Sequence, residues 1–425
     1  VKRLEWLVTA VALVTLVLAY AVPLVSPGQS DYLPRLRELV PQAEGFVRVQ
    51  EEPPVFQAVA GSGPGSRVIA YVGAGSAMGY EAPVVTAVVA SPDGTIERVV
   101  VLEEQEWASW MDKVLRSDFM EQFVGRRVDD PLVLGQDLDA VSGATFTSRG
   151  IADGVRAAAH AVAKGQLGLP VRNGHEELAL DAPVLCVVAL WTLAAVGVLT
   201  RRSRLRWVTM LGGLAVLGFW LAAPLSFSSL AGLLIGRVPP FDQAHLVWYA
   251  LLGGLLLTVL ALGRNVYCYW VCPFGALQEL LNAATGSSVT ASAATGRRLR
   301  SARPLLVWVA LMIIFITRSP GAGAYEPFGT VFTLTGSTVA WALLVLVLVT
   351  SLVSRRFWCH HLCPVGYVVD LLVGGRRWLA RVADREVTGP ARGILRHRGQ
   401  SAGFRHQERP GGDAHRPGPP RGPAR

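Results

Sequence analysis

Hydrophobic and polar positions divide the chain into three regimes. An apolar run begins at Leu7, after Lys2 and Arg3, and continues to Val25. It has the composition of a secretory signal, with Ala19-Tyr20-Ala21 as a cleavage-like triplet, and the length of an uncleaved anchor. Either reading exports the next segment. From Ser26 to about Leu180 the pattern is mixed. Gly61 to Gly65 reads as a flexible stretch, and Val68–Val72 and Val84–Ala90 predict strands. Ser91-Pro92-Asp93-Gly94 predicts a turn, and Ile96–Leu102 the returning strand of a hairpin. Trp107–Phe123 predicts a helix. Ile151, Val155, Ala159 and Val162 share one face of a second, from Arg149 to Lys164. Strands and helices without β-α-β alternation predict an α+β domain rather than a Rossmann fold. Gly73-x-Gly75-x-x-x-Gly79 lacks the dinucleotide spacing and is expected in a loop.

The third regime holds five apolar runs, each near the length that crosses a hydrocarbon core of roughly 30 Å. They are Ala182–Thr200, Trp207–Phe227, Ala244–Gly263, Ala302–Thr317 and Ser337–Val353. With the first run, about six transmembrane helices are expected. Arginines cluster in alternate loops: Arg201, Arg202, Arg204 and Arg206, then Arg264 with Arg297, Arg298, Arg300 and Arg303, then Arg355, Arg356, Arg376 and Arg377. The positive-inside rule places these loops in the cytoplasm and the soluble domain outside. The tail from about Thr388 is rich in Pro, Gly and Arg and is expected to lack structure. The expected organisation is an anchor or signal over 1–25, an extracytoplasmic domain over 26–180, a membrane domain over 181–380 and a disordered basic tail over 381–425. Composition agrees: 51% of the 425 residues are hydrophobic and only 17% charged, with mean hydropathy +0.39. The net charge of +9 belongs to membrane topology and the tail, so lipid and not nucleic acid is the expected contact.

Two stretches carry candidate chemistry. Asp139-Ala140-Val141-Ser142-Gly143-Ala144-Thr145-Phe146-Thr147-Ser148 is almost without bulk and opens onto the predicted helix. Free N–H groups and the helix dipole there suit a phosphate, and an ordinary Ser/Thr cap is the plain alternative. The second is an internal repeat. Cys268-x-x-x-Cys272-Pro273 aligns without gaps onto Cys359-x-x-x-Cys363-Pro364, with Gly275 matching Gly366 and Glu279 matching Asp370. Cysteines four apart share a helix face. Two such pairs can present four thiolates, so an iron–sulfur cluster, zinc and a redox dithiol are all open. His360 and His361 have no counterparts in the first unit, where Tyr269 and Trp270 stand, and are not expected to be ligands. Cys186 is expected to pack, and His245 to be a satisfied interfacial residue rather than a quinone contact.

Asp139-x-x-Ser142-Gly143-Ala144-Thr145 resembles the flavinylation motif of exported FMN-binding domains. These occur in sodium-translocating NADH:quinone reductase and Rnf complexes and in NosR/NirI-type membrane proteins. Gly79-Tyr80, Asp93-Gly94, Phe119 and Phe123-x-Gly125 continue the pattern. With the Cys repeat, the resemblance is to the NosR/NirI type specifically. It implies FMN joined through its phosphate to Thr145, with Ser142, Gly143, Ala144 and Thr147 beside it and Asp139 read by a flavin transferase. It also implies an iron–sulfur cluster at Cys268, Cys272, Cys359 and Cys363. Members usually carry a cytoplasmic ferredoxin domain after the last span, whereas no cysteine follows Cys363; a natural short form and a lost reading frame are both open. The implied function is electron transfer from quinol or a cytoplasmic donor to an extracytoplasmic acceptor, in support of nitrous oxide or related nitrogen oxide reduction. No residue is assigned to bond-making catalysis. Redox sensing and reductase assembly are the alternatives. The topology separates flavin and cysteines by roughly 30 Å of hydrocarbon, so a partner, a quinone or a further cofactor is expected to bridge them.

Overall fold

The computed structural model describes residues 2–25, 32–61, 65–172, 178, 180–286 and 293–398. Helix α1 (Lys2–Val25) is followed by α2 (Leu33–Leu39) and five strands: β1 (Gly45–Gln50), β2 (Val55–Ala60), β3 (Arg67–Met78), β4 (Pro83–Ala90) and β5 (Ile96–Glu103). The strands form one antiparallel meander in sequence order. β4 and β5 lie where strands are expected, and β3 contains the expected Val68–Val72 but runs on to Met78. β1 and β2 were not read from the sequence. β1 is largely exposed, so its side chains give no clean inside-outside signal.

Helices α3 (Ala108–Leu115) and α4 (Thr145–Gln166) complete this region. The expected helix over Trp107–Phe123 is shorter: α3 ends at Leu115 and a 3₁₀ turn covers Met120–Phe123. α4 lies across β3 and β4, burying Ile151, Val155, Ala158, Ala159 and Val162 against Val84 and Val88. The opposite sheet face packs Phe56, Val72 and Val89 with Leu36 of α2. Gly73 and Gly75 sit inside β3, not in the expected loop. A Cβ on Gly75 would lie 2.1 Å from the Gly154 carbonyl oxygen, so the glycines let helix and strand backbones touch.

The helical region comprises α5 (Ala182–Thr200), α6 (Ser203–Gly213), α7 (Phe227–Leu234), α8 (Leu246–Leu262), α9 (Pro273–Thr285), α10 (Ala293–Thr317), α11 (Phe328–Thr333), α12 (Thr338–Val353), α13 (Phe357–His361) and α14 (Pro364–Arg398). Among the described residues, three segments are long and apolar enough to cross a membrane: Trp6–Leu24, Ala182–Thr200 and Arg298–Thr317. Leu246–Leu262 and Thr338–Val353 are shorter apolar helices. The predicted run Trp207–Phe227 is not one helix. α6 widens into a π-helix over Leu214–Trp220 and then stops. Residues 221–226 are irregular, Ala222 has φ +48°, and Pro224 offers no N–H donor. α1 packs along α10, where the Arg318 guanidinium donates to the Tyr20 carbonyl (2.7 Å) and stacks over its ring. α14 continues to Arg398, into the segment expected to lack structure; 399–425 lie outside the described residues.

The sheet region docks on the break between α6 and α7. The Tyr80 hydroxyl donates to the Pro224 carbonyl (2.8 Å), and Ser226 donates to Glu81 (2.9 Å).

Candidate flavin site and four-cysteine cavity

Thr145 is the first residue of α4, so the motif itself starts the helix, four residues before the predicted Arg149. Gly143 adopts φ +75°, a conformation that suits glycine, and turns the chain into the helix. Ala144 occupies the cap position and supplies no side-chain cap. The first-turn N–H groups of a long helix therefore face outward beside the exposed Thr145 hydroxyl. The Lys113 ammonium reaches this turn: a Cβ on Gly143 would be 2.8 Å from its Nζ. Partial burial lowers the pKa of Lys113, and no hydrogen bond or ion pair holds its ammonium among the described residues.

The adjoining pocket is walled by Tyr80, Trp110 and Phe146 and floored by Ala222 from the helical region. The Tyr80 ring lies 4.9 Å from that of Trp110 and 5.4 Å from that of Phe146. The helix start and lysine suit a phosphate, while the aromatic pocket beside them is closed, with ≈ 0 Å³ of free volume. Of the residues named from the motif, Gly143, Ala144 and Thr147 line the pocket. Ser142 and Asp139 are exposed and do not line it; the Asp139 backbone is held at both N–H and C=O by Gln122. Thr147 is buried, and its hydroxyl donates to Glu106 Oε2 (2.7 Å). Trp110 and Lys113 were missed because they arrive from a separate helix with no local motif. Tyr80 stood in the flanking pattern without a role.

All four repeat cysteines line one cavity of ≈ 320 Å³. Each unit breaks its helix at the second cysteine. Cys268 sits in a π-helical turn over Tyr267–Val271, Cys272 caps α9 and Pro273 is its first residue. Cys359 lies in α13, and Pro364 opens α14 directly after Cys363. Proline suits that first helical position because the N–H it lacks would be unpaired there anyway. Among the described residues no three His, Cys, Asp or Glu side chains converge on a single ion position. Four sulfurs around a cavity of this size fit a multi-atom cluster better than one zinc.

The acids and basic residues of the repeat act as fasteners. Arg356 donates to the Cys268 carbonyl (2.7 Å) and to Glu279 Oε2 (2.7 Å). Arg303 donates to the Cys363 carbonyl (3.1 Å) and pairs with Asp370 (3.4 Å). Arg303 Nη2 is buried without a partner and crowds Gly366, beside Cys363 Sγ. Arginines facing thiols suit an anionic thiolate-ligated cluster. The sequence showed the matched acids but not that each clamps an arginine onto a cysteine carbonyl. His360 reaches the cavity rim, its ring 6.4 Å from that of Tyr269, its counterpart in the repeat. His361 bonds the Phe357 carbonyl. His245 has both ring nitrogens engaged, by Asp242 (2.6 Å) and the Gly79 carbonyl (3.2 Å). Cys186 lies outside the cavity.

The two cavities are joined by a short stretch of chain. Ala222 lines the pocket beside the start of α4 and Leu225 lines the cysteine cavity. Three residues span at most about 11 Å. The reason is the break in the second apolar run, which folds irregular chain between the two cavities instead of carrying a straight helix past them.

Comparison with known proteins gives the same division. Residues 79–160 match the family model of an FMN-binding domain. Residues 244–288 and 337–381 match that of a 4Fe-4S binding domain, once for each Cys unit. The chain therefore joins a match to an FMN-binding domain with two matches to a 4Fe-4S binding domain. The chain is 35% identical over 137 residues to the regulatory protein NosR of Pseudomonas aeruginosa, covering 30% of this chain and 19% of that protein. It is 32% identical over 210 residues to protein NirI of Paracoccus denitrificans, covering 44% and 30%. A third relative is the methylamine utilization ferredoxin-type protein MauN of Methylorubrum extorquens, 33% identical over 173 residues, covering 38% and 54%. The chain thus spans less than a third of the NosR and NirI relatives.

Proposed function

We propose that the chain passes electrons between an FMN held at the start of α4 and an iron–sulfur cluster held by Cys268, Cys272, Cys359 and Cys363. The observation that carries this is the short path from Ala222 to Leu225 between the two cavities. A flavin exchanges one or two electrons and a cluster exchanges one, so adjacency lets the pair connect a two-electron partner to a one-electron partner. The Thr145 hydroxyl is the attachment point of the FMN phosphate, made by a flavin transferase that reads exposed Asp139 and Ser142. Domains run 26–180 and 181–380 behind an anchor at 1–25. The arginine-rich loops put the Arg300 and Asp370 rim of the cysteine cavity toward the cytoplasm and the flavin domain outside. Electrons enter from the quinone pool or a cytoplasmic donor and leave to an extracytoplasmic reductase, with nitrous oxide or a related nitrogen oxide as the final acceptor. A regulatory reading is favoured by the name of the NosR relatives, regulatory protein; the same two centres would then report redox state rather than carry flux.

The test uses one preparation of the full chain in detergent. Thr145→Ala is expected to remove flavin fluorescence that survives a denaturing gel, and Cys363→Ser to remove most of the iron. Reduction of the flavin from a reduced cluster, lost in either variant, supports electron transfer. A cluster and a flavin that titrate without exchanging electrons would leave the regulatory and assembly readings.

A further inference from the structure

Gln278, in the second turn of α9, is fully buried, and its amide is held at both ends. Oε1 accepts the Trp358 N–H (3.1 Å). A main-chain N–H can only donate, so this contact decides which end of the amide is the oxygen. The other end, Nε2, lies 3.0 Å from Cys359 Sγ and 3.4 Å from the Phe274 carbonyl oxygen. An amide nitrogen can only donate, so the sulfur is the acceptor.

The donor comes from the first Cys unit and the sulfur belongs to the second, so one side chain crosses between the halves of the repeat. The gapless alignment sets Gln278 against Val369, which is equally buried and has no polar side-chain atom to offer Cys268, the counterpart of Cys359. Cys363 Sγ accepts the Gly366 N–H (3.4 Å). The residue aligned with Gly366 is Gly275, so both units have a glycine N–H at that place. The Gln278 amide has no such twin. Cys359 is also the least enclosed of the four, partly exposed where Cys268, Cys272 and Cys363 are buried. The unshared donor therefore acts on the sulfur nearest the rim that His360 and Tyr269 form.

We propose that Gln278 is a positioning residue that tunes the four-cysteine centre: its amide N–H, aimed at Cys359 Sγ, favours negative charge on that sulfur and raises the reduction potential of the cluster the cysteines would hold. This rests on the cluster assignment above. Hydrogen bonds to the sulfurs are one of the terms that set a cluster's potential. A donor is worth more to a charged acceptor than to a neutral one. Reduction adds one electron and one negative charge, so the N–H stabilises the reduced state more than the oxidised one. No bond is made or broken at Gln278, and the amide keeps its protons throughout.

The test is a redox titration of the iron-loaded full chain in detergent, followed by the electron paramagnetic resonance signal of the centre, with iron content measured on the same samples. Gln278→Met keeps the length of the side chain and removes the N–H. Gln278→Glu keeps an oxygen for the Trp358 N–H and puts a second acceptor where the donor was. The midpoint potential should fall in the order wild type, Met, Glu. The Met variant should lie lower than wild type by about 59 mV, a tenfold change in a one-electron equilibrium, and the Glu variant lower still. A purely structural Gln278 predicts the reverse ranking, read in iron retained rather than in potential, because Glu preserves the Trp358 contact and Met loses it. Wild-type potentials in both variants overturn the proposal. If the Glu variant does not assemble the centre, the Met variant is read alone, and an unmoved potential there overturns it equally. Loss of iron from both variants overturns the tuning role and leaves Gln278 as a support of α13. A wild-type chain that holds no iron sinks the cluster assignment and this proposal with it, whereas iron present with unmoved potentials sinks this proposal alone.

Discussion

The two halves of the cysteine repeat are equivalent in sequence and unequal in structure. In the first, Glu279 is 2% exposed and receives three guanidinium groups, from Arg206, Arg355 and Arg356. In the second, the matching Asp370 is 54% exposed and has one arginine, at 3.4 Å, with Asn265 on its other oxygen. Both acids hold an arginine against a cysteine carbonyl, but only the first is sealed. The difference divides labour. The Glu279 side fastens α6, α9 and the start of α13 into one block, and its arginines are occupied by the carboxylate. On the Asp370 side, Arg303 keeps a buried nitrogen free beside Cys363 and the cavity opens past His360 and Arg300. One half anchors the centre, and the other sets its charge and access.

The largest expected effect comes from breaking the sealed half. Glu279→Ala leaves three cations facing one another with Arg356 fully enclosed, and removing one partner of a buried ion pair costs about 3–5 kcal/mol. Thermal unfolding in detergent should show that loss together with falling iron content. An unfolding midpoint like that of the wild type would mean the arginines find water, and the contrast between the halves would go with it.

Arg356→Lys comes next. The charge stays, but a lysine cannot bond Glu279 and the Cys268 carbonyl together in the fixed plane of a guanidinium. Loss of one charge-assisted hydrogen bond costs about 1.5–3 kcal/mol. The first Cys unit should loosen, so iron should leave faster to a chelator while flavin content holds. Equal chelation rates would place the anchoring role in Arg206 and Arg355 alone.

Legibility in the sequence divides along the same line between local and distant. The flavin motif is contiguous, so Gly143, Ala144 and Thr147 were found together, and strand patterns gave β4, β5 and part of β3 because one face of each packs on α4 or α2. The cysteine repeat was legible because a gapless match of Cys, Pro, Gly and acid is a pattern in one dimension. Lys113, Trp110, Arg303 and Gln278 were not legible as site residues, since each acquires meaning only from chain far away. The break at 221–226 was hidden for a different reason. Ala222, Ala223 and Leu225 keep the hydropathy of a span while Pro224 and the π-helical turn interrupt its geometry. Hydropathy measures composition, and composition with the arginine loops placed the two stretches a membrane apart.

Asp370→Asn is expected to have the smallest effect on stability, and it tests the division of labour most directly. An ion pair half open to water contributes about 0–1 kcal/mol, so unfolding and iron content should stay near wild type. The charge balance of the cavity should change all the same. Removing one negative charge leaves Arg303 uncompensated beside Cys363, which favours the more negative, reduced state of a cluster. The midpoint potential should therefore rise, by less than about 60 mV, the equivalent of a tenfold change in a one-electron equilibrium. Glu279→Gln, by contrast, alters a carboxylate already shared among three arginines and should disturb stability before potential. Finding the two readouts exchanged, with potential following Glu279 and stability following Asp370, would show that the second half of the repeat is the anchor and the first the tuner.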